Sequence, residues 1–207
     1  MPEVNLWARH PDDYYIEPEW CSKRLFQVEP FIGGIWDPSC GSGRIVSAAE
    51  EILGRTAFGT DIAERPNVRT SPLDFRDFHG TWANIVTNPP FGLCDPKDKS
   101  ECFVRHALKV AREKVALLLP ITWLNPASRS AWLETTPLYT VYALGPRPSM
   151  PPGPVIEAGE HPGGGKKDFA WIIWQQGYTG SPTLKFLRRT PDATTGRSIE
   201  PSIVNEA

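Results

Sequence analysis

The sequence predicts an α/β fold built on a largely parallel sheet. Short apolar runs alternate along the chain with segments of helical periodicity. Residues 115–119 are apolar at every position, as suits a strand buried on both faces. Proline makes up 22 of 207 residues, about twice the usual ~5%. That excess excludes an all-helical bundle or a long solenoid, because proline breaks helix interiors and central strands.

Taken in order, residues 34–36 form an apolar strand running into Asp37. Residues 44–53 put Ile45, Ala48, Ala49, Ile52 and Leu53 on one helical face, with Gly54 placed to stop it. Residues 56–60 read as a second strand ending at Asp61. A third short strand is expected at 68–70, ahead of Leu73-Asp74-Phe75. Residues 83–87 form a fourth, ending at Asn88-Pro89-Pro90-Phe91. Ser100 can cap a helix reaching about Lys114, with Phe103, Val104, Ala107, Leu108 and Ala111 on one face. The strand at 115–119 stops at Pro120. Asn125 as cap and Pro126 at the first helical position open a short helix through Trp132. Strands at 139–144 and 169–174 flank a segment, 145–165, with six prolines and six glycines. It reads as one long loop. After Gln175 the chain reads as a short polar tail.

Bulk properties mostly exclude. The net charge is -2, which marks neither a nucleic-acid nor a membrane binder. No apolar run approaches the ~18–20 residues of a membrane span, and residues 1–10 lack the apolar core of a signal peptide. Cys21, Cys40, Cys94 and Cys102 have no zinc or redox spacing. Reduced thiols in a cytoplasmic protein are expected. The four histidines have no ligand-like spacing, and no metal is assigned. Charge is uneven, however. Residues 145–197 carry seven basic side chains (Arg147, Lys166, Lys167, Lys185, Arg188, Arg189, Arg197) against four acidic ones. A solvated face or a phosphate-contacting edge has this composition.

In parallel sheets, ligands sit at the carboxyl ends of strands, and four such places carry usable chemistry. Asp37-Pro38-Ser39-Cys40-Gly41-Ser42-Gly43 lets backbone pass close to a ligand before entering a helix. It lacks a P-loop lysine, and Val46 stands where a dinucleotide fingerprint has its third glycine. An ordinary glycine turn has the same composition. Asp61 can accept both hydroxyls of a ribose, or cap a helix. Asp74-Phe75 can take an adenine amino group and pack on the base, or be a loop acid beside a core ring. Asn88-Pro89-Pro90-Phe91 is the most specific. Its prolines stiffen a strand-end turn and present the Asn88 amide and Pro89 carbonyl as fixed acceptors. Such acceptors favour a tetrahedral, nucleophilic nitrogen on a planar amine, and Phe91 offers a stacking face.

Together these motifs resemble the class I S-adenosylmethionine-dependent amino-methyltransferases, most closely the DNA adenine-N6 methyltransferases. The resemblance runs in order from about Asp13 to Trp174. It implies a Rossmann-like sheet of seven strands with residues 169–174 antiparallel. It also implies S-adenosyl-L-methionine as cofactor, with Asp37, Pro38, Cys40, Gly41 and Gly43 in the cofactor loop. Asp61 and Ile62 would then lie at the ribose, and Asp74 and Phe75 at the adenine. Asn88, Pro89, Pro90 and Phe91 match the catalytic tetrad, with Phe in place of Tyr. Tyr15, Glu17 and Pro18 match the segment touching the methionine end, where the family often has Thr-Pro. The implied substrate is adenine in DNA, flipped from a duplex or taken from a single strand. Methylation of RNA bases or of a protein glutamine uses the same tetrad, and a non-catalytic cofactor-binding accessory is a third reading.

The expected organisation is an N-terminal segment (1–30), a catalytic domain (31–178) and a tail (179–207). Without a recognition domain, the loop at 145–167 is the expected substrate contact, through Arg147, Lys166 and Lys167, with a short or relaxed recognition sequence. The small size suits a phage or mobile-element enzyme.

Overall fold

A computed structural model describes residues 13–65, 72–95, 102–160 and 163–190. In chain order the elements are α1 (Glu19–Val28), β1 (Ile35–Asp37), α2 (Arg44–Leu53), β2 (Ala57–Gly59), β3 (Trp82–Thr87) and α3 (Phe103–Val110). They continue with β4 (Ala111–Pro120), α4 (Ala127–Leu133), β5 (Leu138–Gly145), α5 (Gly153–Glu157), β6 (Phe169–Gln175) and β7 (Thr183–Arg188). Among the described residues they build one seven-stranded sheet in the order β2-β1-β3-β4-β6-β5-β7. Only β6 is antiparallel, to both β4 and β5.

The uninterrupted apolar strands are explained by helices on both faces. Successive side chains of a strand point to opposite faces. Val115, Leu117 and Leu119 therefore join Trp36, Ile85, Ile172 and Trp174 against α3 and α4. Ala116 and Leu118 join Ile35, Val86, Trp171 and Ile173 against α1 and α2. Trp171 and Trp174 are fully buried, and each donates its indole N–H, to the Cys21 carbonyl and the Thr136 hydroxyl. No helix among the described residues is long and apolar enough to cross a membrane.

Four expectations are corrected. The helix after Ser100 ends at Val110, because residues 111–114 are drawn into β4 by pairing with Trp82 and Gln175. Ser100 itself lies outside the described residues. Asn125 does not cap α4. It closes the preceding turn (Ile121–Leu124), and the Pro126 carbonyl takes the first amides, Arg129 (2.8 Å) and Ser130 (2.9 Å). The Pro/Gly segment is not all loop, since α5 forms within it, with Pro154 in the first turn where no amide is needed. The polar tail supplies β7, which pairs in parallel with the free side of β5 from Thr183 to Arg188. The expected strand at 68–70 lies outside the described residues, so the seven described strands include β7 in its place.

Candidate active site

The carboxyl ends of β1, β2 and β3 open onto a cavity of about 380 Å3, within the ~300–1,000 Å3 of small-molecule sites. Asp37, the last residue of β1, is 1% exposed. Its Oδ1 accepts from the Ser39 amide at 3.2 Å. Burial raises its carboxyl well above the usual range, and the nearby Glu17 and Asp61 add to the rise. The turn that follows needs glycine. Gly41 has φ +50° and Gly43 has φ +81°, and a Cβ on Gly41 would meet the Tyr14 ring at 2.7 Å. Cys40 is buried and its thiol is pushed upward by desolvation, so it is no nucleophile.

Asp61 is already engaged. Its Oδ2 accepts from the Gly41 amide (3.0 Å), and its Oδ1 from the Ala63 amide (3.1 Å) and Arg65 Nε (3.2 Å). A carboxylate has about four lone-pair sites, so a ribose binding here through both hydroxyls would have to displace a partner. Asp74 is similar. Arg76 meets both its oxygens, down to 2.6 Å, and holds its carboxyl below the usual range. Phe75 lies beneath it, buried against Trp36 and Phe103.

The segment before α1 forms one wall and is tied to the Pro/Gly segment. Ile16 N–H donates to the Pro151 carbonyl (3.1 Å), and Gly153 N–H donates to the Tyr14 carbonyl (3.0 Å). The Tyr14 ring is wedged between Gly41 and Gly153. Its hydroxyl donates to Glu157 at 2.7 Å, and Arg65 lies 4.1 Å from its centroid. Glu17 is 5% exposed and its carboxyl is raised by burial. The Arg44 guanidinium donates to the Glu17 backbone carbonyl at 2.8 Å.

The Asn88-Pro89-Pro90-Phe91 turn leaves β3 beside this wall. Asn88 Nδ2 donates to the Tyr15 carbonyl (3.0 Å) and to Glu17 Oε2 (3.0 Å). The Asn88 backbone carbonyl accepts from the Ser39 hydroxyl (3.3 Å), and the Pro90 carbonyl from the Leu93 amide (3.0 Å). Ser39 Oγ also lies 2.6 Å from Thr87 Oγ1, stitching the β1 turn to the β3 turn. The Phe91 ring is parallel to Tyr15 within 7°, with centroids 6.4 Å apart, and packs on Phe169 at 5.9 Å.

Of the expected site residues, Tyr15, Glu17, Asp37, Pro38, Cys40, Gly41, Asp61, Ile62, Asp74, Phe75, Asn88 and Pro90 line the cavity. Pro18, Gly43, Pro89 and Phe91 adjoin it in sequence without lining it. Arg147, Lys166 and Lys167 do not line it either, and exposed Arg147 is held by Asp168 at 2.6 Å. Sequence reasoning missed Tyr14, Ser39, Arg44, Arg65 and Arg76. Ser39, like Ser42, which also lines the cavity, sits inside a motif already singled out, and Tyr14 stands next to Tyr15; the arginines carry no spacing signal and are recognisable only in three dimensions.

No family model matches the sequence, and no curated protein matches it. Solved structures do. A modification subunit of a putative type I restriction enzyme from Vibrio vulnificus is 16% identical, with a TM-score of 0.57, over 89% of this chain and 48% of that one. The type I restriction-modification methyltransferase subunit from Streptococcus thermophilus is 14% identical, with a TM-score of 0.55, over 80% of this chain and 45% of that one. A putative class I S-adenosylmethionine-dependent methyltransferase from Listeria monocytogenes is 10% identical, with a TM-score of 0.50, over 82% and 62%. The chain spans about half the length of the two type I subunits. What it shares with all three is architecture: a seven-stranded sheet with one antiparallel strand and helices on both faces, the Rossmann-like fold of class I methyltransferases.

Proposed function

We propose that the chain transfers the methyl group of S-adenosylmethionine to the exocyclic N6 amino group of adenine in DNA, at a short or relaxed recognition sequence. One observation carries the reading: the Asn88-Pro89-Pro90-Phe91 turn stands at the rim of the same cavity that Asp37, Asp61 and Asp74 line. A cofactor half and an amine-binding half thus converge on one volume.

The residues fit that cofactor. Asp37 is buried with no cation against it, which is costly for an empty carboxylate and favourable for one facing a cationic ligand. Gly41 leaves a gap that a Cβ would fill. When bound, the cofactor supplies an electrophilic methyl group on a positively charged sulfur. The chain's own residues do the rest by positioning. Asn88 Oδ1 and the Pro89 carbonyl accept from the two hydrogens of the target amine, turning its lone pair out of the ring plane. Phe91 stacks on the base. The proton lost from nitrogen goes to solvent, so no covalent enzyme intermediate is needed. DNA as substrate is supported by the fold shared with restriction-modification subunits and by the excess of basic over acidic side chains in residues 145–197.

The deciding experiment incubates the protein with labelled S-adenosylmethionine and, separately, DNA, RNA and protein extract, then digests each and identifies the product. N6-methyladenine in DNA that vanishes with Asn88→Ala is the expected result. Label in RNA or in glutamine would reassign the substrate, and no label anywhere would leave a cofactor-binding accessory. Mapping modified adenines in DNA from expressing cells tests the recognition sequence, and a single long motif would overturn the relaxed reading.

A further inference from the structure

Glu17 stands in the segment expected to touch the methionine end of the cofactor, and its side chain also bonds to Asn88. An asparagine side chain presents a donor at one end and an acceptor at the other, and rotation by half a turn exchanges them. Around Asn88 that ambiguity is removed. Both partners of Nδ2, the Tyr15 carbonyl and Glu17 Oε2, lie at 3.0 Å; the carbonyl can never donate, and the Glu17 oxygen cannot while its carboxylate is ionised. A flipped amide would aim its oxygen at the Tyr15 carbonyl and at the buried Glu17 carboxylate. We infer that Glu17 is a positioning residue that locks the Asn88 amide in the single orientation leaving Oδ1 as the acceptor on the cavity side. Its catalytic consequence rests on the function proposed above; the lock itself does not.

The backbone carbonyl of Tyr15 alone would not impose this. A hydrogen bond to an ionised acceptor is roughly twice as strong as one to a neutral carbonyl. The charged partner is also fixed on both sides. Pro18 follows Glu17 and leads into α1, while Arg44 of α2 grips the Glu17 carbonyl at 2.8 Å. Two helices therefore set the position of the carboxylate, and the carboxylate sets the amide.

The first test needs no activity. In the ligand-free protein, the side-chain amide signals of Asn88, assigned by their loss in Asn88→Asp, should show slow hydrogen exchange. In Glu17→Ala the same signals should exchange at least ~10-fold faster while backbone protection of the sheet stays unchanged. Rapid exchange in the native chain, or slow exchange retained in Glu17→Ala, would overturn the lock.

The second test is a rescue. Asn88→Asp sets two carboxylates against each other. Adding Glu17→Gln restores a donor facing an acceptor, so the double variant should exceed Asn88→Asp in methyl transfer by ~10-fold or more. Glu17→Ala should lower kcat by up to ~10²-fold while calorimetry gives a Kd for S-adenosylmethionine within about twofold of native. A double variant no better than Asn88→Asp, or a weakened Kd with unchanged kcat, would make Glu17 a cofactor contact instead. If the native chain transfers no methyl group to any substrate, the proposed function fails, and the exchange measurement still decides the lock.

Discussion

Helix α1 has a buried glutamate at each end, and the two are treated in opposite ways. Glu29, which follows the helix, is 3% exposed. Lys114 donates to its Oε1 at 2.5 Å and Tyr142 to its Oε2 at 2.9 Å. Glu17, before the helix, is 5% exposed and bonds to the Asn88 amide, and Arg44, which grips its backbone carbonyl, offsets only part of the rise that burial gives its carboxyl. Asp37 beside it is more buried still and has no cation against it. Glu29 is paired with a cation on the spot, whereas Glu17 and Asp37, which line the cavity, keep part of their burial cost uncompensated. The difference teaches where to look for function in a buried site.

The largest effect should come from breaking the neutralised end. Lys114→Ala leaves Glu29 buried without its cation, and removing one member of a buried pair costs about 3–5 kcal/mol. Chemical denaturation should show that loss, with cofactor affinity in the surviving folded fraction unchanged. A loss under about 1 kcal/mol would mean that the two ends are not different in kind.

Next in size is Gly41→Ala. Its φ of +50° disfavours a side chain, at about 1–2 kcal/mol, and the new methyl group displaces the Tyr14 ring. Both stability and S-adenosylmethionine affinity should fall, the affinity by ~10-fold or more by calorimetry. An unchanged affinity would remove the Tyr14 wall from the binding site.

The smallest effect has the opposite sign. Asp37→Asn should raise the Tm by about 2–4 °C, or ~1 kcal/mol, while abolishing cofactor binding. The effect should depend on pH. Because the folded carboxyl of Asp37 is raised, there is a window above the unfolded value of ~3.9 in which the native chain holds a proton that the unfolded chain has released. Stability contributed by this group therefore falls as pH rises through that window. The Tm advantage of Asp37→Asn should be near zero at about pH 4 and grow toward neutrality. An advantage that shrinks with pH would show that the Asp37 carboxylate is stabilised in the folded state.

Much of the fold was legible in one dimension. Helix α2 matches its apolar stripe from residue 44 to 53, because one amphipathic helix between glycines has few alternatives. Strand β6 follows its apolar run from Phe169. Misjudgements came where neighbours outvoted local pattern. Residues 111–114 continue a helical stripe, yet two adjacent strands recruit them into β4. Thr183–Arg188 alternates weakly, with Leu184 and Phe186 exposed and Leu187 buried, and becomes a strand because β5 offers an open side.

The sequence by itself determined the α/β class, the strand-end acids and the proline-stiffened turn. These depend on periodicity, on backbone freedom at glycine and on its loss at proline, which are local properties. Tertiary structure alone decided that the Pro/Gly-rich segment meets the cavity wall before α1 rather than reaching outward with Arg147. Its glycine at 153 accommodates the Tyr14 ring, and its Pro151 carbonyl takes the Ile16 amide. It also decided that Glu17 faces Asn88, 71 positions away. A hydrogen bond between side chains that far apart leaves no periodic trace in the chain, because its geometry is set by two helices and a sheet.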